Sequence, residues 1–188
     1  MKKGLLIIYS GPSGVGKSTI LSQVLNDDEL NLVFSISMTT RLPRNGEKDG
    51  VDYFFVDKQT FEKAIDNDEF LEHAKYVENY YGTPKAYVEK MRNDGKNVIL
   101  EIDVQGAKQV ISKCPDALSI FICPPSQEDL RKRLTGRGTE PVEVVNKRLA
   151  QAKGEIDASS FYKHHITNDD VDKAVEEVTK IIKGEMNK

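Results

Sequence analysis

The chain has 188 residues, of which 30% are charged and 7% aromatic, and a formal net charge of −3. That length suits one large domain, or a core with small insertions, around a sizeable buried interior. The acidic balance argues against a sequence-independent nucleic-acid binder, which needs a basic face, and no apolar run approaches the ~20 residues of a membrane span.

In chain order, the apolar run Leu5–Tyr9 predicts a buried strand, and its early start leaves no room for a signal peptide. Gly11-Pro12-Ser13-Gly14-Val15-Gly16-Lys17-Ser18 follows and leads into Thr19–Leu25, a helical pattern. Strand, glycine-rich turn and helix are the context in which G-x-x-x-x-G-K-[ST] cradles phosphate. Its glycines let backbone N–H groups turn inward, and the helix N-terminus adds more donors and a positive dipole end. Lys17 can reach the β- and γ-phosphates, and the Ser18 hydroxyl can ligate Mg²⁺. The stretch therefore predicts nucleoside triphosphate binding.

Leu32–Met38 reads as a second strand, Thr39 to Gly50 as a polar loop, and Val51–Val56 as a further strand. Thr60 is a candidate N-cap for a short helix holding Phe61, Ala64 and Ile65. Phe70–Val77 reads as a strand and Asn79–Pro84 as a turn, so residues 36–90 form a small mixed α/β insertion. A helix with Val88 and Met91 ends at Gly95, and Asn97–Asp103 is an apolar strand ending in an acid. Then come a helix through Ala107, Val110 and Ile111, the strand Leu118–Cys123, and a helix capped by Ser126 and Asp129. After the glycine-flanked Arg137, a helix starts near Pro141, a strand lies near His165–Thr167, and a last helix runs from Val171 through Ile182. Alternating strands and helices predict an α/β fold with a parallel sheet covered on both faces. Cys114 and Cys123 have no metal-ligand spacing, which predicts reduced thiols in a cytoplasmic protein.

Three further groups bear on chemistry. Arg41 and Arg44, on a proline-stiffened loop, can clamp one phosphate. Glu72 stands among apolar residues, with Tyr53 and Tyr81 in the same insertion. Its carboxylate suits the N1–H and N2–H edge of guanine, a donor pair that adenine lacks. Arg131, Arg133, Arg137 and Arg148 flank flexible glycines, as in a lid over a transferring phosphoryl group. On pattern alone a solvated loop is the commoner explanation of Arg41 and Arg44, and a solvated basic helix face explains the lid arginines equally well. His164 and His165 are adjacent on a strand and point to opposite faces, so they do not pair on a metal.

Taken together, the chain resembles the guanylate kinases, in the nucleoside-monophosphate kinase group. The matching strings are Gly11–Ser18, Ser35–Arg44, Gly50–Phe55, Asn79–Thr83, Leu100–Gly106 and Arg133–Thr139, in family order over nearly the whole length. The resemblance implies a P-loop three-layer α/β/α fold with a five-stranded parallel core sheet. It places the core at about 1–35, 91–125 and 160–188, a GMP-binding insertion at about 36–90, and a helical lid at about 126–159. It implies ATP as donor, Mg²⁺, and GMP as acceptor, with dGMP left open. By likeness, Gly11 to Ser18, Thr19, Arg133, Arg137 and Asn168 serve ATP. Ser37, Glu72 and Thr83 face the guanine, and Glu101 and Asp103 lie near the base and the metal waters. Arg41, Arg44, Tyr53 and Tyr81 hold the GMP phosphate, and Lys17, Arg41, Arg137 and Arg148 carry catalysis. His73 and Val104 depart from aromatic residues frequent in the family, with packing as the expected consequence.

Two other classes compete. An interaction module that holds phosphopeptides in the same cleft is expected to have a degraded loop or lost lid arginines, yet Lys17, Ser18, Arg137 and Arg148 are present. A GTPase switch needs an N-K-x-D-type string, which the chain lacks.

Overall fold

The computed structural model describes residues 2–136 and 141–188. Strand β1 (Leu6–Ser10) is buried along its whole length, as a strand covered on both faces must be. Its side chains divide by parity. Ile7 and Tyr9 meet α1 (Lys17–Val24) and the C-terminal helix α7 (Val171–Met186) on one side. Leu6 and Ile8 meet α3 (Lys85–Asn93) and α4 (Val104–Lys113) on the other. The remaining strands of this sheet are β2 (Leu32–Phe34), β7 (Asn97–Glu101), β8 (Leu118–Cys123) and β9 (His164–Thr167). The order is β2-β7-β1-β8-β9, with every pairing parallel. This is the expected three-layer α/β/α core.

The strand expected over Leu32–Met38 is in fact two short ones in different sheets. β2 ends at Phe34, and Ser35 N donates the last rung to Ile99 O at 3.0 Å. The chain then leaves the core, and β3 (Met38–Thr39) opens a second, mixed sheet, in the order β4 (Phe54–Phe55), β3, β6 (Asn79–Pro84) and β5 (Phe70–Tyr76). A continuous strand cannot serve both sheets, which explains the imperfect alternation. In the second sheet β4 is only Phe54–Phe55, because Val51 and Asp52 N–H groups turn back onto Lys48 O. The stretch Asn79–Pro84, expected as a turn, is strand β6, antiparallel to β5 (Phe70–Tyr76). Gly82 is there for close approach: a Cβ would lie 2.8 Å from the Phe70 ring. Asp57, not Thr60, caps α2 (Lys58–Asp66), accepting from Thr60 N at 2.7 Å.

Asn97 ties the layers: its amide accepts from Leu5 N at 2.8 Å and donates to Leu30 O at 2.7 Å. Helices α5 (Gln127–Thr135) and α6 (Val142–Asp157) share a small apolar core of Leu130, Leu134, Val145 and Ala152. Ser126 caps α5 as the sequence predicts, accepting from Asp129 N at 3.0 Å.

Candidate active site

The C-terminal ends of β1, β2 and β7 open onto one cleft of about 660 Å³, where ligands collect in open parallel sheets. Gly11, Ser13, Gly14, Gly16, Lys17, Ser18 and Thr19 line it, while Pro12 and Val15 are buried beneath. Gly16 shows why the loop tolerates no side chain there. Its φ is +96°, and an added Cβ would lie 2.5 Å from the Asn168 amide nitrogen. Lys17 Nζ donates to Gly11 O at 2.6 Å and Pro12 O at 3.1 Å. Burial lowers the Lys17 pKa, and the Glu101 and Glu155 carboxylates oppose that shift.

The loop is braced from behind. Asn168 Nδ2 donates to Val15 O at 2.7 Å, and Arg133 donates to Val15 O at 2.9 Å and Asn168 O at 2.8 Å. Arg133 and Asn168 thus hold the loop's shape, and Asn168 is buried behind it, absent from the cleft wall. Arg148, on α6, does line the cleft and donates to Ser13 Oγ at 2.5 Å. Arg131 points instead to Asn146 Oδ1 at 3.1 Å. Arg137 lies outside the described residues.

A second, smaller cleft of about 350 Å³ adjoins the first. Ser37, Tyr53, Glu101, Ile102 and Asp103 line both, so one wall is common to the two. The strand expected over Asn97–Asp103 stops at Glu101, and Asp103 caps α4, its Oδ1 accepting from Gly106 N at 2.8 Å. Glu72 and Tyr81 line only the smaller cleft. Glu72 is 7% exposed, and Thr83 Oγ1 donates to its Oε1 at 2.6 Å. Burial raises the Glu72 pKa, the Thr83 bond works against this, and the nearby Asp103 charge adds to it. Thr83 is itself buried, so it aims Glu72 from behind.

Arg41 sits behind the tyrosine wall. Its guanidinium lies 5.4 Å from the Tyr53 ring centroid and pairs with Glu47 through two hydrogen bonds of 2.9 Å. Glu47 also accepts from Arg44 N at 2.7 Å, closing the loop, while the Arg44 side chain is exposed. The sequence reading missed Glu47, Asp52 and Glu155. The recurrence of Arg41, Arg44 and Glu47 every third residue was a visible signal for the first. Glu155 lies seven residues after Arg148 on α6, hence on the same helix face.

A parallel α/β core with a complete phosphate loop, a second sheet hung beside it and two helices over the cleft define a P-loop nucleotide-binding protein. The guanylate kinase family model matches residues 3–185. The chain is 49% identical to the guanylate kinase of Latilactobacillus sakei over 183 residues, covering 97% of this chain and 90% of that protein. It is 50% identical to the guanylate kinase of Listeria innocua over 184 residues, covering 98% and 90%. The crystal structure of guanylate kinase from Anaplasma phagocytophilum superposes with a TM-score of 0.76 at 34% identity, over 100% of this chain and 89% of that one. The chain belongs to the guanylate kinase family. The SH3-kinase fragment of tight junction protein 3 shares the fold at 10% identity and a TM-score of 0.53, over 98% of this chain and 57% of that one.

Proposed function

We propose that the protein transfers the γ-phosphoryl group of ATP to GMP, giving ADP and GDP. The observation that carries this reading is the common wall: the smaller cleft, which holds a buried carboxylate suited to guanine, shares a wall with the cleft of the phosphate loop. In this assignment the phosphate loop receives the triphosphate. Glu72, held by Thr83, accepts the paired guanine donors, with Ser37 beside it. Tyr53, Tyr81, Arg41 and Arg44 serve the acceptor phosphate. Glu47 preserves the Arg41 geometry, and Arg41 still has N–H donors left over, because a guanidinium carries five.

The nucleophile is an oxygen of the acceptor phosphate, already ionised at neutral pH, so no general base is required. The barrier lies in bringing two anions together in line. Lys17 and Arg148, with Arg137, offset that repulsion, and the enclosing elements exclude water. Ser18, Glu101 and Asp103 line the same cleft and supply oxygen ligands of the kind Mg²⁺ takes. When bound, Mg²⁺ neutralises phosphate charge. Among the described residues, no group of three or more His, Cys, Asp and Glu converges as a metal cage. A cation here would be held by the Ser18 hydroxyl together with phosphate oxygens and water, with Glu101 and Asp103 at hand as carboxylates for it or its water.

No helix among the described residues is long and apolar enough to cross a membrane, and the two cysteines are free thiols. The free thiols fit a cytoplasmic setting. The deciding experiment is a coupled assay of ADP formation with GMP, dGMP, AMP, CMP or UMP as acceptor. GMP is expected to be strongly preferred over AMP, CMP and UMP, and the dGMP arm defines the sugar requirement. ATP hydrolysis that ignores GMP defeats the kinase reading, and equal use of AMP defeats the role given to Glu72.

A further inference from the structure

The smaller cleft is held partly from outside itself. Strand β5 is the last of its sheet, so one of its edges has no neighbouring strand. His73, the residue after Glu72, meets Gln109 of α4 with both its backbone groups. Gln109 Oε1 accepts from His73 N at 3.1 Å, and Gln109 Nε2 donates to His73 O at 3.1 Å. A side-chain amide carries donor and acceptor in one planar group, and here it stands in for a paired strand residue. Gln109 lines neither cleft.

The position of this fork along β5 matters. The ladder to β6 is irregular just before Glu72: Phe70 lies opposite Pro84 and Glu72 opposite Thr83, so Leu71 is an extra residue. Leu71 packs into the core cluster that includes Val104 and Ala107 of α4. A bulge disrupts the ladder locally, and α4 supports the strand on both sides of it. Lys113 Nζ donates to Phe70 O at 2.8 Å, and Gln109 holds His73. Glu72 falls between these two anchors. Its carboxylate has little slack, since Thr83 holds Oε1 at 2.6 Å and a Cβ on Gly106 of α4 would lie 3.0 Å from Oε2. A shift of β5 against α4 therefore moves both oxygens, while the paired donors of guanine need them at set positions.

We infer that Gln109 is a positioning residue that sets acceptor specificity: its amide fork on His73 fixes where Glu72 presents its two oxygens to the base. This deepens the ATP:GMP reading and rests on it.

The test compares wild type, Gln109→Leu and the near-isosteric Gln109→Glu at a mildly alkaline pH. The acceptors are GMP and inosine monophosphate, which lacks the N2 amine. Gln109→Leu is expected to lower kcat/KM for GMP about tenfold, mainly through KM, and to lower its preference over inosine monophosphate by about the same factor. Affinity for a Mg²⁺-loaded non-hydrolysable ATP analogue stays within about twofold. Gln109→Glu sets an acceptor against His73 O and is expected to lower the preference too. A wild-type preference in Gln109→Glu makes Gln109 a packing residue and overturns the inference. So does an unchanged preference in Gln109→Leu, whatever its melting temperature. Hydrogen exchange on the wild-type protein does not depend on any variant folding. The His73 N–H is expected to exchange about tenfold or more slowly than an unpaired edge amide, and fast exchange removes the fork. A wild type that ignores GMP overturns the ATP:GMP reading. One that selects GMP, with variants that keep the selectivity, overturns this inference alone.

Discussion

The two clefts are built on different principles. The phosphate-loop side comes from one contiguous stretch, shaped by backbone and braced by Arg133 and Asn168 against a sheet of buried parallel strands. The smaller cleft gathers Ser37 and Tyr53, each just ahead of a two-residue strand, with Glu72 of β5 and Tyr81 of β6, beside a small core of Phe61, Ala64 and Phe70. The first shape belongs to the chain's path and the second to side chains held by one another. On the function proposed above, phosphate binding common to a whole class of proteins sits on the backbone-built side, and the choice of acceptor sits on the side-chain-built one.

If that division holds, variants on one side leave the other side's binding intact. The largest expected effect is from Lys17→Ala, a fall in kcat of about 10³-fold, or about 4 kcal/mol, with the Kd for GMP nearly unchanged. Parallel kinetics and calorimetric binding check this, and a collapse of GMP affinity refutes the separation. Glu72→Gln comes next, lowering kcat/KM for GMP about 10²-fold because guanine donors lose their charged acceptor, while ATP-analogue affinity stays. The same variant has a pH signature. Burial raises the Glu72 pKa in the folded state, so the wild-type protein loses stability as pH rises from the unfolded carboxylate value of about 4.3 through the raised one. Glu72→Gln lacks that loss, so its melting temperature gains on wild type over that interval and the gain persists at neutral pH.

Smaller effects probe the supports. Arg133→Lys removes a two-ended brace, since one ammonium cannot reproduce the fork between Val15 and Asn168. It is expected to cost about 1–2 kcal/mol in urea unfolding and to weaken the ATP analogue more than GMP. Asp57→Ala removes the α2 cap and is expected to cost about 1 kcal/mol, with neither nucleotide's affinity changed beyond error.

The same contrast explains what the sequence disclosed. The phosphate loop was legible because strand, glycines, lysine and helix are adjacent in the chain, and Leu118–Cys123 was legible because both its faces are apolar. The second sheet was not, because β3 and β4 are too short to show a period and their pairing is set by neighbours. Asn79–Pro84 was misread because glycine and proline signal a turn locally, whereas Gly82 makes room for a ring on the adjacent strand. Among site residues, Glu72 was visible as an acid among apolar neighbours.

The excursion from the core has one more consequence. The chain departs after β2, which pairs with β7, and returns through α3, whose Val88 packs into the same apolar cluster as Val98 and Leu100 of β7. Between the two splice points, β5 also docks on α4, where Gln109 pairs with the His73 backbone and Lys113 reaches Asp68 and Phe70 O. A different acceptor-recognition cassette, cut from another protein and joined at Ser35 and Lys85, needs to match the host at β7 and at that face of α4, while the phosphate loop and its braces are carried over untouched.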